Sequence, residues 1–364
     1  MKPLASSIRL SKTALGLAAL LAVASALSQS SDLDLLRAKA GAGDGEAQNT
    51  LGLAYKNGRG VTADAEAAAN WFRKAAEGGN VAAQRNLGML YVEGKGVKQD
   101  FTEAAKWLRS AAEKGFASAQ NQLALLCVEG KVAAVGDGVM WLRKAADANY
   151  AEAQDNLGEL YVEGKGVAQD FAEAAKWFRK AAEQDFASAE HRLAALHIDG
   201  KGVAQDFAEA VKWLQKATAQ NYAAAQETLG WLHTQGKGVP LDFAEAAKLF
   251  RKAADQNYAS AQNDLGWLCE SGQGVPQNFE EAAKHYRAAA ERDYGGAQNH
   301  LAQLLARGAP GIAKDPVEAC KWFTLAEKHG DKDGADLRAA MVKEMTPEQI
   351  AEAEKRVKDF KPKP

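Results

Sequence analysis

Residues 83–117 read AQRNLGMLYVEGKGVKQDFTEAAKWLRSAAEKGFA, and most of the chain is this segment written again with variations. Ala83, Leu87, Leu90 and Tyr91 fall at i, i+4, i+7 and i+8, one apolar face of a helix. Gly88 lies on the same side and admits another helix at close range. Gly94 can take the left-handed conformation that ends a helix, Gly96 allows a second sharp turn, and Val97 offers the loop an apolar plug. Asp100 then opens a second helix, with Glu103 completing a capping-box-like pair. Phe101, Ala104, Ala105, Trp107, Leu108, Ala111 and Ala112 form its apolar face. Phe116 closes the unit and reads as a wedge against the next.

The dipeptide Ala-Gln marks the period. It occurs at 47, 83, 119, 153, 225, 261 and 297, with Ala189-Glu190 filling the gap. Six of the seven intervals are 36 residues and one is 34. The cap pair returns as Asp170/Glu173, Asp206/Glu209, Asp242/Glu245 and Asn278/Glu281, and the wedge as Tyr150, Phe186, Tyr222, Tyr258 and Tyr294. A single unit cannot stand alone. Ordering each residue costs roughly 1–2 kcal/mol, while each buried Leu, Phe or Trp returns about 1.5–3 kcal/mol, so neighbours must supply the missing burial. The pattern predicts an all-α solenoid of about eight helix-turn-helix repeats with capping helices at both ends. The short third unit replaces loop and cap with Val132-Ala133-Ala134-Val135-Gly136 but keeps Trp141 and Ala145-Ala146, which places its deletion in the loop.

The ends divide the chain further. Residues 1–26 read as a signal peptide: Lys2, Arg9 and Lys12 form a basic head, an apolar run spans Ala14 to Val23, and small residues follow. Cleavage is expected after Ala26 or Ala24, which points to a periplasmic or secreted protein. The apolar run falls short of the roughly 18–20 residues a bilayer span needs. Residues 32–46 read as an N-terminal capping half-repeat, 47–330 as eight repeats, and 331–364 as C-terminal capping helices and tail. Asp315-Pro316 starts a helix reaching about His329, a degenerate helix runs from about Gly334 to Glu344, and Thr346-Pro347-Glu348-Gln349 opens the last. Lys361 to Pro364 is expected to fray.

Composition excludes some functions. The formal charge of −2 falls to about −5 once the basic head is removed, which argues against nucleic acid. Of the three cysteines, Cys127 and Cys269 occupy the same repeat position four units apart, too far for a bridge. Cys269–Cys320 is the one pairing the spacing leaves open; the alternative is three buried thiols packed as small hydrophobes.

Leu-Gly-x-x-Tyr at Leu51 to Tyr55, Leu87 to Tyr91 and Leu157 to Tyr161, with the Gly-x-Gly-Val loop and the Ala-x-x-Trp second helix, resembles the Sel-one-like repeat (SLR) proteins of the tetratricopeptide-like superfamily. The resemblance covers about residues 32–330. It implies a right-handed superhelix whose first helices line a concave groove, and a role as adaptor or scaffold, often exported in bacteria. It also implies ligand contacts at first-helix positions flanking the Leu.

Two rows of variable residues then become groove candidates. Two after the Leu stand Leu53, Met89, Leu125, Glu159, Trp231 and Trp267; two before it stand Asn121, Asp155, His191, Glu227 and Asn263. Trp231 and Trp267 occur in adjacent units, off the second-helix site that the other six Trp residues share. They form either an aromatic platform for a partner or packing within the stack. The acidic row Glu93, Glu129, Glu163 and Asp199 is compensated by Lys95, Lys131, Lys165 and Lys201, as a solvated face would be.

Catalytic chemistry is not written here. His197 and His233 replace the framework Tyr in consecutive units and read as packed histidines. The Gly-Lys-Gly loops lack the Gly-Lys-Ser/Thr ending of a phosphate loop, and no Cys-x-x-Cys or His-Glu-x-x-His occurs. The expectation is a non-enzymatic exported scaffold without cofactor or metal, monomeric, binding a protein or peptide in envelope signalling or complex assembly. The alternative is a glycan- or host-factor-binding protein using Trp231 and Trp267.

Overall fold

The computed structural model describes residues 32–132, 135–330 and 332–363. The expected signal peptide lies outside the described residues. Among those described, the secondary structure is α-helix joined by loops, with a single bridge between Ala309 and Ile312. It divides into two compact units, one through Gln169 and one from Asp170.

The first unit opens with helix α1 over 32–41. Hairpins follow: α2 (Gly45–Asn57) with α3 (Ala65–Glu77), α4 (Val81–Glu93) with α5 (Phe101–Glu113), and α6 (Ala117–Val128) with α7 (Val135–Asp147). Helix α8 (Ala151–Glu163) ends the unit. Each helix packs on the one before it in the chain, which is the stacking a solenoid requires.

The second unit begins with α9 (Phe171–Ala182). The hairpins are α10 (Ala187–Asp199) with α11 (Phe207–Ala219), α12 (Ala223–Gln235) with α13 (Phe243–Ala254), α14 (Ala259–Ser271) with α15 (Phe279–Ala290), and α16 (Gly295–Arg307) with α17 (Pro316–Lys328). The cap is α18 (Lys332–Val342) and α19 (Pro347–Asp359), both packed on α17. Phe360 sets its ring edge-on to Trp322 at 5.5 Å. The tail does not fray at Lys363, against expectation: its N–H donates to the Glu291 carbonyl (2.7 Å) and its ammonium pairs with the Glu291 carboxylate (2.6 Å).

The recurring Gln is a cap that crosses the repeat boundary. Gln48, Gln84, Gln120, Gln154, Gln262 and Gln298 each donate Nε2 to a carbonyl eight residues earlier, at Ala40, Ala76, Ala112, Ala146, Ala254 and Ala290 (3.0–3.3 Å). Those carbonyls belong to the last turn of the preceding helix, where no intrahelical N–H remains. The side chain lies buried beside them, so six of the repeats are stitched to the helix before them; Gln226 instead donates to Asn221 Oδ1 (2.9 Å).

Glycine sets how closely the hairpin closes. A Cβ at Gly88 would stand 2.8 Å from Leu108 Cγ, and one at Gly266 the same distance from the Tyr286 ring. The short third unit exchanges the roles: Ala124 takes the first-helix place and Gly138 faces it, where a Cβ would meet the Ala124 carbonyl at 3.0 Å. In the loop, Gly94 has φ +66° and Gly96 has φ +68°, and a Cβ on Gly96 would drive into the Ala65 carbonyl. That second loop glycine therefore serves contact with the preceding repeat as well as the turn.

The capping-box reading holds in half. Asp100, Asp170, Asp206, Asp242 and Asn278 accept from the N–H three residues on, as predicted. The Glu does not reach back to the cap. The Asp100, Asp206, Asp242 and Asn278 N–H groups already donate to Tyr91, His197, His233 and Cys269 carbonyls of the preceding helix. Glu103, Glu173, Glu209, Glu245 and Glu281 turn outward to a lysine three residues later. Among the described residues only Thr346 and Gln349, at the start of α19, make the reciprocal pair. The wedge aromatics sit at the N-cap of each following first helix, with Phe116, Tyr258 and Tyr294 more than a third exposed.

Candidate functional site

First helices carry both candidate rows. In the row two after the Leu, Leu53, Met89, Leu125 and Glu159 of the first unit are half-buried. In the second unit Trp231 is 36% exposed and Trp267 40%, whereas Trp177, Trp213 and Trp322 of the second helices are no more than 8% exposed. Lys237 Nζ stands 5.0 Å from the Trp231 ring centroid, within cation–π range. Trp267 tilts against Phe243 at 6.3 Å. Its other side walls a cleft of about 570 Å³ with Glu270, Tyr286, His300, Gln303 and Arg307. Inside, the Tyr286 hydroxyl donates to Glu270 Oε2 (2.7 Å), and Arg307 pairs with Glu270 Oε1. The lengthened loop after α16, with Gly308, Ala309 and Pro310, forms the cleft's rim.

The row two before the Leu is placed differently. Asn121 is fully buried; it donates to Glu152 and accepts from Asn156, both at 3.0 Å. Asp155 is 4% exposed. His191 shares a hydrogen bond with Thr228 (3.1 Å), and burial pushes its pKa down by disfavouring the charged ring. Asn263 accepts from His300 Nδ1 at 2.7 Å. Asn86 donates to Asn49 in the same manner at 2.9 Å. This row is a hydrogen-bonded ladder in which a residue just before the Leu of one repeat bonds the residue two before the Leu of the previous one. Thr228, Asp264 and His300, which complete these rungs, were not singled out from sequence. Their signal was a polar residue at that position in every repeat, from Thr50 to His300.

Glu227 and Asp264 form the most perturbed rung. Burial and the neighbouring carboxyl push Glu227 up to about 7, and burial pushes Asp264 up to about 6. Thr228 Oγ1 donates to Glu227 (3.3 Å) and Asn263 Nδ2 to Asp264 (3.2 Å).

The remaining candidates have local roles. His197 and His233 turn Nδ1 to carbonyls of their own loops, Ala204 at 3.4 Å and Pro240 at 3.2 Å. On the charged lip, Glu93 pairs with Lys95 and Asp199 with Lys201. All three cysteines are free and buried, so the Cys269–Cys320 bridge is not formed, and burial pushes their thiols up. Among the described residues no group of His, Cys, Asp or Glu could hold a metal ion, and no helix is long and apolar enough to cross a membrane.

Paired helices of near-constant length, stitched by the same side chain at a fixed offset, define a helical-hairpin repeat protein. Eight consecutive segments, 45–80, 81–116, 117–150, 151–186, 187–222, 223–258, 259–294 and 296–331, match the Sel1 repeat, and the chain belongs to that family. It is similar to a protective antigen of uropathogenic Escherichia coli strains displaying an SLR fold, at 34% identity and TM-score 0.70, over 88% of this chain and 69% of that one. It is also similar to a Sel1 repeat protein from Oxalobacter formigenes, at 30% identity and TM-score 0.62, over 85% and 90%. Among curated protein sequences nothing matches. Sel1-repeat proteins are generally protein-interaction scaffolds.

Proposed function

We propose that this chain is a non-enzymatic scaffold, exported after removal of residues 1–26, that docks a protein or peptide along the first helices of its second unit. The observation that carries the reading is the exposure of Trp231 and Trp267, one on each of two neighbouring first helices. The corresponding Leu53, Met89 and Leu125 of the first unit are half-buried. A partly exposed indole pair offers large apolar area at little conformational cost, which favours it as an anchor. The accessible parts of His191 and Glu227 would flank such a contact, and Asn263, buried in the ladder, would shape it indirectly; Glu159, Asn121 and Asp155 belong to the first unit.

Crosslinked capture from the native envelope, comparing wild type with Trp231→Ala and Trp267→Ala, tests this. Loss of a captured protein in either variant, with the melting temperature retained, is the expected result. An identical set of captured proteins would overturn the platform. N-terminal sequencing of the mature protein tests export, with a start at Leu27 or Ser25 expected.

The cleft beside Trp267 supports a second reading, as a glycan site. Glu270 and Arg307 cancel in charge, and Gln303 supplies an amide next to an open indole, a setting suited to a neutral polyhydroxyl ligand. Binding of peptidoglycan fragments that Trp267→Ala abolishes would favour it over a peptide.

A further inference from the structure

The ladder between first helices joins neutral groups at most of its rungs: Asn49 to Asn86, Asn121 to Asn156, His191 to Thr228, and Asn263 to His300. At Glu227 and Asp264 two carboxyl groups meet, one on α12 and one on α14. Two carboxylates in contact repel, whereas a carboxylic acid and a carboxylate make a strong hydrogen bond. Burial favours a shared proton over two charges, while the hydrogen-bond donors beside the pair favour charge. From α12 comes the Thr228 hydroxyl, itself hydrogen-bonded to His191 of α10, whose burial disfavours its charged form. From α14 come the Asn263 amide and, at the helix start, Tyr258; beyond them stand Tyr294 and His300 of the α16 segment, the latter bonded to Asn263. Besides burial, the groups that shift the two carboxyls are Thr228, Asn263 and the carboxyls themselves.

We propose that the Glu227–Asp264 rung is a proton-held latch regulating the partner-binding face: with its proton it ties α12 to α14, and without it the two helices are pushed apart. Trp231 lies four residues after Glu227 and Trp267 three after Asp264, one turn along the same helices. A change in the spacing of α12 and α14 therefore changes the spacing of the two indoles. The regulatory consequence rests on the reading of that face as the docking site; the latch itself does not.

The direction with pH follows from the upward shifts. Both carboxyls hold protons more tightly folded than unfolded, so the rung's contribution is full below the ordinary carboxylate range. It declines as the pH climbs to about 7. The pair titrates jointly, and its apparent values belong to both residues.

Carboxyl-carbon NMR of the full protein across about pH 4 to 8.5 reads the latch directly, with Glu227→Gln and Asp264→Asn for assignment. The expected result is a carboxyl titrating near neutrality. The Trp231 and Trp267 indole N–H signals, assigned with Trp231→Phe and Trp267→Phe, should move in the same window. In Glu227→Gln, whose amide donates to Asp264 permanently, the indole signals should stand still. The wild-type decline in melting temperature with rising pH should also flatten. Wild-type carboxyls that titrate only at ordinary values, or indole shifts that persist unchanged in Glu227→Gln, would overturn the latch. If the latch titrates but the affinity of a captured partner ignores pH, the regulatory step is overturned while docking stands.

Discussion

Glu190 stands where seven other repeats carry Gln, and the difference is one hydrogen bond. A carboxylate cannot donate to the carbonyl that Gln84 or Gln120 caps. Glu190 is fully buried, accepts from Gln220 at 2.9 Å, and leaves Oε1 without a partner. Burial pushes its pKa up. Glu190→Gln should restore the cap to the end of α9 and stabilise the protein by on the order of 1 kcal/mol. Because the folded value is raised, the wild type bears no penalty below the ordinary carboxyl range and an increasing one above it. The advantage of the Gln variant should therefore shrink on acidification. Urea melts at pH about 4 and about 7 check both parts; equal midpoints at the higher pH would show that the buried carboxylate costs nothing.

At the scale of the element, the helix ends and faces were legible because each depends on residues a few positions apart. Asp100 caps, Gly94 terminates, and α19 begins at Pro347 behind Thr346, as their local chemistry dictates. What local chemistry could not reveal was competition for the same group. The Asp100 N–H is taken by the Tyr91 carbonyl, so Glu103 has nothing to reach back to. The ladder escaped for a different reason. Its partners are offset from the repeat period by one residue, 37 positions for Glu227 and Asp264, so aligning repeats column by column separates them. The exposure of Trp231 and Trp267 was legible only as a departure from the framework site. Close approach gives a direct test: Gly266→Val should force the Tyr286 ring aside and cost about 1–3 kcal/mol, read as a lower melting temperature. The same change at exposed Gly41, where nothing lies within 4 Å, is the control for β-branching in a helix.

For the molecule as a whole, stability should scale with the number of repeats, since each packs only on its neighbours. Deleting residues 187–222, one complete Sel1 repeat, should leave a helical protein that unfolds cooperatively at a lower temperature. Circular dichroism melts check this; loss of the helical signal at room temperature would contradict it. The repeat count and fold class were readable because the period is written eight times, and repetition averages out local ambiguity. The identity of a partner was not, because binding residues are those that break the period and so occur once each.

The Gln stitch also fixes where this chain can be cut and rejoined. A splice made between a second helix and the following first helix must bring a Gln at the same offset to remake the bond, whereas one made inside a Gly-x-Gly loop carries donor and acceptor together. Insertion of extra units, by recombination or by design, should thus succeed in the loop phase, and in the helix-to-helix phase only where the incoming first helix brings its own Gln. The natural module is a second helix plus the first helix after it, half a step out of register with the hairpin seen by eye.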